Sequence, residues 1–280
     1  MNINQLPRLI AEPVLRKALE EDLGMAGDLT ARLIDPNKRG IALIRARENG
    51  FLSGMEAIAL TCRLVDEQID IDEKFANGDA INEGDVLASL QGPLASIFTA
   101  ERTFLNMLQR MSGIATTTSK YVKATEGTGC RILCTRKTTP GLRAWEKQAV
   151  RHGGGINHRF GLSDGVMLKD NHIAAHGSIS AAMAQARKIF GPMVKIEVEC
   201  DNHDQVAEAV DAGADIVMFD NMNVREVAEA VTLVHGRATT EASGNMTLDQ
   251  VPLYATTGVD FVSVGKLTHS SPSLDLGLDL

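Results

Sequence analysis

The second half of the chain repeats one unit, a short apolar run ending in polar residues and followed by a helical stretch. The runs are RILCTRKT, GVMLKDN, VKIEVEC, ADIVMFDN, ATTEASG and VDFVSVGK. Residues 178–190, 203–212, 224–234 and 247–256 carry the helical period between them. In the last four units the repeat from strand to strand is roughly twenty residues. A crossover helix after each strand returns the chain to the same end of a sheet, so the strands must run parallel. This is the rhythm of a parallel α/β barrel, which places its ligand at the C-terminal strand ends. The polar tails TRK, KDN, EVEC, FDN, EASG and SVG all fall at those ends. An open doubly wound sheet would alternate in the same way. It would usually carry a Gly-rich dinucleotide fingerprint after its first strand, and none is present.

The first half has a different texture. Its opening residues, MNINQLPRLIAEPVLRKALEEDLG, read as a charged amphipathic helix and not as a signal peptide with an apolar centre. After the turn-rich GDLTARLIDP, the run RGIALIRARENGFLSG alternates as strands do, with Asn49-Gly50 as a turn. Residues 55–65 form a helix, IDIDEKF a strand, and NGDAINEGDVLASLQGPL short strands of an antiparallel sheet. A helix over 94–109 carries Glu101 and Arg102, and Ser112-Gly113 marks the boundary between the halves. The 280 residues suffice for one large domain or two modest ones. A net charge of −8 argues against a general nucleic-acid footprint. The four cysteines form no CxxC pair, and no apolar run reaches membrane-spanning length. The expectation is a soluble cytoplasmic protein that binds neither nucleic acid nor membrane.

Against that acidic background, residues 134–173 gather Arg136, Lys137, Arg143, Lys147, Arg151, Arg159 and Lys169. Such a cluster suggests a site for an anionic small molecule. Arg136, Arg159 and Lys169, helped by His158, lie at strand ends or beside the GGG loop and could bind carboxylates or phosphates. The planar guanidinium fork suits a carboxylate in particular. Lys137 would face away from Arg136 unless the strand breaks, and Pro140-Gly141 makes a break plausible. Arg143, Lys147 and Arg151, on the next helix, read as surface or capping cations.

Glu199 and Asp220 end consecutive strands, so their carboxylates share one rim. Two such groups could hold Mg²⁺ through oxygen ligands or stabilise positive charge on a substrate. Glu197 lies one layer deeper on the same face, as a buried partner for a pocket cation. Ser243-Gly244 and Ser263-Val264-Gly265 end the last two strands, where small residues let backbone N–H groups approach a phosphate. His152, His158, His172 and His176 fit no common zinc spacing, and no Ser–His–Asp or Cys–His arrangement is legible. The chemistry is therefore electrostatic. Displacement of pyrophosphate from a ribose carbon fits it, without being singled out by it.

The run TRKTTPGLRAWEKQAVRHGGGINHRFGLSDGVMLKDNHI resembles the signature of the quinolinate phosphoribosyltransferase family. The resemblance extends to LEEDLGMAGDLT, AERTFLNMLQRMSGIAT, VEVEC, MFDN, EASGNMTLD and FVSVGKLTHS. It implies an N-terminal α/β sandwich domain (1–112, joined by the tail 271–280) and an incomplete parallel α/β barrel (113–270). It also implies transfer of phosphoribose from phosphoribosyl pyrophosphate to quinolinate with loss of CO₂, in the presence of Mg²⁺. By resemblance, Arg136, His158, Arg159 and Lys169 grip the two carboxylates of quinolinate, with Thr135 beside them. Arg102 comes from the neighbouring subunit of a homodimer. Lys137 lies near ribose and pyrophosphate, and Glu199 and Asp220 near the ribose hydroxyls, the metal and the cationic centre. Ser243, Gly244 and Asn245, with Ser263, Val264 and Gly265, form the 5′-phosphate loops. One departure is EASGN, where the family usually reads EASGG; Asn tolerates left-handed backbone, so the loop should survive. A paralogous phosphoribosyltransferase, such as the relative encoded with molybdate transporters, or a non-catalytic sensor on the same scaffold are the alternatives.

Overall fold

A computed structural model describes residues 5–280. Any part of the N-terminal helix expected over residues 1–4 lies outside them. The elements begin with α1 (Arg8–Leu23), a short 3-10 turn, β1 (Arg39–Ala46), β2 (Gly50–Phe51), α2 (Met55–Val65) and β3 (Asp70–Glu73). They continue with β4 (Ala80–Ile81), β5 (Val86–Pro93), α3 (Leu94–Lys123), β6 (Arg131–Leu133) and α4 (Arg143–His152). The units β7 (Val166–Leu168), α5 (Asp170–His176), α6 (Ile179–Ile189), β8 (Ile196–Cys200) and α7 (His203–Asp211) follow. The chain ends with β9 (Ile216–Asp220), α8 (Val224–Val234), β10 (Thr239–Ser243), α9 (Val251–Ala255), β11 (Phe261–Ser263), α10 (Lys266–His269) and β12 (Leu276–Asp279). Two compact units result. One contains the described residues up to Ser119 with Thr138–Gly154 and Thr268–Leu280; the other contains Lys120–Lys137 and Gly155–Leu267.

The first unit is built on an antiparallel sheet ordered β12-β1-β5-β3. Period two in β1 puts Ala42, Ile44 and Ala46 on the buried face. They pack with Leu87 and Leu90 of β5 and with Ile58, Ile97, Phe104 and Leu108 of α2 and α3. The last strand, β12, pairs antiparallel with β1, Leu43 opposite Asp279. Asn49-Gly50 does not close a hairpin back onto β1, because β2 pairs with β4 instead.

Helix α3 is nearly twice the length read from the sequence and continues through Ser112-Gly113. The reason lies in packing. A Cβ on Gly113 would stand 1.9 Å from the Pro272 carbonyl oxygen, so glycine here serves close approach of the tail and not a break in the helix. On α4, Lys147 is buried, contrary to its reading as a surface cation, whereas Arg151 is exposed. Arg143 Nε donates to Thr138 Oγ1. The buried Glu146 carboxylate accepts from Arg110 and from the Thr139 N–H and hydroxyl, tying the TTPG turn to the start of α4.

The second unit is a six-stranded parallel sheet ordered β6-β11-β10-β9-β8-β7, the mixed α/β arrangement expected from the repeat. Short connections need helix caps, and the sequence supplies them. Ser178, Asn202 and Asn223 each accept N–H groups of the first turn of α6, α7 and α8. Beyond β6, Ile156 bridges to Leu133 in the parallel sense. Two residues later His158 meets Glu197 of β8 and Glu241 of β10. A segment bonded to one edge of the sheet thus touches strands near the other, so the sheet is curled around a polar interior.

Candidate active site

Register sets the site. Val198 lies opposite Leu168, which places Glu199 beside the residue after β7, Lys169; their side chains form an ion pair. Glu199 is also opposite Met218 of β9, and Asp220 is opposite Ser243 of β10. Glu199, Asp220 and Ser243 therefore sit on neighbouring strands at their C-terminal ends, all half-buried. Asn221 Nδ2 donates to Asp220 Oδ2 at 2.7 Å, and Asn221 N–H to the Ser243 carbonyl at 3.0 Å. Asn221 was missed at the sequence level; its signal was its place directly after Asp220 in MFDN. Its left-handed backbone (φ 56°) leaves so little room that a Cβ on Gly244 would fall 2.5 Å from its side-chain oxygen. Asn245 adopts the left-handed conformation too (φ 42°) and is exposed.

The cations converge from two loops. After β6 the chain leaves the sheet, and Lys137 N–H donates to Thr135 Oγ1, so Arg136 and Lys137 occupy a turn and are exposed. The loop between α4 and β7 carries Arg159. Asp164 clamps it by accepting the N–H groups of Phe160 and Gly161. Arg159 Nη1 donates to the Gly165 carbonyl at 2.7 Å, while its buried Nε has no partner. Burial and the neighbouring Arg136 guanidinium both pull Arg159 below the ordinary arginine range, opposed by Glu197 and Asp164. Arg159, with an unfilled donor and within electrostatic reach of Arg136, is suited to an anion.

Glu197 (3 % exposed) and Glu241 (1 % exposed) flank His158 Nε2, at 3.1 and 3.6 Å. Among the described residues these three are the group of side chains close enough together to hold a metal. Glu241 was missed at the sequence level, although period two from Ser243 points it into the interior. Ser263 is buried beside Glu241, and the Val264 N–H donates to the Leu133 carbonyl. Arg102 lies on α3 in the other unit and is exposed. No helix among the described residues is long and apolar enough to cross a membrane.

Burial pushes the Glu241 carboxyl from 4.5 up to about 8, reinforced by Glu197, with His158 and Ser263 acting in the opposite sense. The folded chain keeps this proton to about pH 8, whereas the unfolded chain releases it near 4.5. Between those values the folded state binds more protons, so stability falls as pH rises and levels off above 8. The expected result is that Glu241→Gln gains stability relative to wild type as pH is raised from 5 to 8 in urea melts. Parallel pH profiles for the two proteins would count against it.

Comparison with known proteins decides the family. Residues 28–112 match the description "Quinolinate phosphoribosyl transferase, N-terminal domain", and residues 114–279 match the corresponding C-terminal domain. The chain belongs to the quinolinate phosphoribosyltransferase family. It is 45 % identical over 280 residues to the probable nicotinate-nucleotide pyrophosphorylase (carboxylating) of Bacillus subtilis, covering 100 % of this chain and 95 % of that one. It is 39 % identical over 279 residues to the nicotinate-nucleotide pyrophosphorylase (carboxylating) of Mycobacterium leprae, covering 96 % and 97 %. The NadC crystal structure from Streptococcus pyogenes superposes with a TM-score of 0.95 at 39 % identity, covering 99 % of this chain and 98 % of that one. As a quinolinate phosphoribosyltransferase, the chain has a site that must take two multiply anionic substrates side by side, which accounts for cations in an otherwise acidic protein.

Proposed function

We propose that the chain transfers phosphoribose from phosphoribosyl pyrophosphate to the ring nitrogen of quinolinate, releasing pyrophosphate, and then releases CO₂ to give nicotinate mononucleotide. The observation that carries the assignment of roles is the half-buried Arg159, whose buried Nε has no hydrogen-bond partner and whose charge is felt by Arg136, together with the carboxylates of Glu199 and Asp220 at neighbouring strand ends. Arg136, Arg159 and Lys169, with His158 behind them, hold the dicarboxylate so that its nitrogen faces the anomeric carbon. The C–O bond to pyrophosphate breaks as the N–C bond forms, and Glu199 and Asp220 stabilise the positive charge that develops on the ribose. Lys137 balances the charge of the departing pyrophosphate. Once the nitrogen is alkylated, its positive charge stabilises the electron pair left on C2 when the carboxylate departs as CO₂, and a proton from water takes its place.

The Ser243-Gly244-Asn245 turn receives the 5′-phosphate, its backbone shaped by the left-handed residues on either side of Gly244 in space. The carboxylates of Glu199 and Asp220 are hard oxygen donors on adjacent strands and would hold Mg²⁺. Bound there, the ion would neutralise pyrophosphate charge. Arg102, exposed on α3, completes the pocket of a second subunit in a homodimer. The activity is tested by incubating the protein with quinolinate labelled at its C2 carboxylate, phosphoribosyl pyrophosphate and Mg²⁺. Labelled CO₂ and pyrophosphate should appear in equal amounts, and nicotinate should not substitute. Calorimetric binding of quinolinate with neither product would identify a sensor instead.

A further inference from the structure

We propose that Glu197 and Glu241 are positioning residues for the dicarboxylate pocket: by gripping His158 Nε2 they fix the turn that carries Arg159. The inference rests on the assignment of Arg159 to the dicarboxylate. The geometry has three parts. His158 Nε2 stands between the two carboxyl groups, at 3.1 Å from Glu197 and 3.6 Å from Glu241. Its Nδ1 accepts the backbone N–H of Arg159 at 2.7 Å, so the imidazole lies within ion-pair distance of two strands on one side and holds the Arg159 backbone on the other. The strands are β8 and β10, which do not adjoin but are separated by β9, so the ring spans the curled interior. His158 thus transmits the rigidity of the sheet to a loop that belongs to none of its strands.

The same geometry decides what the cluster holds. With the Nδ1 lone pair taken by the Arg159 N–H, the ring hydrogen sits on Nε2, the atom that faces the carboxyl groups. A metal bound there would require that nitrogen's lone pair. The three side chains therefore share protons and do not form a metal centre. Burial keeps Glu241 protonated, which limits the negative charge placed under an anionic substrate. A glutamine at 241 reproduces the shape and charge of that protonated carboxyl.

The test compares steady-state constants for the two substrates. Glu241→Ala and Glu197→Ala should each raise the quinolinate KM by roughly tenfold or more while the phosphoribosyl pyrophosphate KM stays within about twofold. Glu241→Gln should restore the quinolinate KM that the alanine variant loses. A ¹⁵N spectrum of histidine-labelled wild-type protein should show His158 protonated at Nε2 and not at Nδ1, a readout that does not depend on any variant folding. Unchanged quinolinate KM in both alanine variants, equal effects on the two substrates, a hydrogen on Nδ1, or one tightly bound metal per chain lost on His158→Asn would each overturn the proposal. Arg159→Ala run alongside separates the two levels. If it leaves the quinolinate KM unchanged, the assignment of Arg159 fails and the positioning role falls with it; if it raises KM and the glutamate variants do not, the positioning role alone fails.

Discussion

Replacement of Arg159 by alanine is expected to lower kcat/KM for quinolinate by about a hundred- to a thousandfold, with a much smaller loss of affinity for phosphoribosyl pyrophosphate. The magnitude follows from what the side chain loses. A charge-assisted hydrogen bond contributes about 1.5–3 kcal/mol, and a guanidinium can make two to one carboxylate. The asymmetry follows from where Arg159 sits. Its loop is clamped by Asp164 and by its own bond to the Gly165 carbonyl just before β7, whereas the Ser243-Gly244 turn ends β10, three places along the sheet. Arg159→Lys should recover little, because an ammonium cannot reproduce the planar fork. Isothermal calorimetry with each substrate measured separately checks the result; equal losses for both would remove Arg159 from the dicarboxylate pocket. Arg136 sharpens the expectation, since its charge acts on Arg159 and an anion would relieve that repulsion.

Much of this arrangement was legible in the sequence because two periodicities carry it. Period two in IEVEC puts Glu197 and Glu199 on one face, and the burial of the first below the half-exposed second follows from their depth along the strand. The strand–helix repeat fixes the parallel order from β7 through β11, and α2 occupies the residues its pattern marks, Met55–Val65. What was not legible depends on contacts distant in sequence. Nothing local distinguishes a glycine that ends a helix from Gly113, whose absent side chain admits the Pro272 carbonyl across more than half the chain. Asn49-Gly50 has hairpin chemistry, but the strand it begins pairs with β4. Glu241 looked like an ordinary residue of EASGN because its partners, His158 and Glu197, arrive from a loop and a strand that only the curled sheet brings to it. Lys147 was misread for a related reason: a charged position on a short helix says nothing of what covers it.

Substitution of Glu199 by glutamine is expected to separate chemistry from binding in opposite directions. Lys169 and Glu199 are paired in this structure, so the lysine cannot serve the dicarboxylate fully until it exchanges one carboxylate partner for another. A neutral glutamine weakens that competition, and quinolinate affinity should hold or improve by a few-fold. Turnover should move the other way. On the proposed roles Glu199 stabilises the ribose cation, and loss of one such preorganised group lowers kcat by roughly a hundredfold. Binding calorimetry together with single-turnover pyrophosphate release distinguishes the two effects. A parallel fall in quinolinate affinity and turnover would mean that Glu199 merely orients Lys169. Retained turnover would mean that the developing charge is met by Asp220, whose carboxylate is held in place by Asn221, the next residue along the chain. The comparison with Asp220→Asn is then decisive, because no Lys, Arg or His among the described residues pairs with Asp220, and its loss should depress kcat with no gain in quinolinate binding.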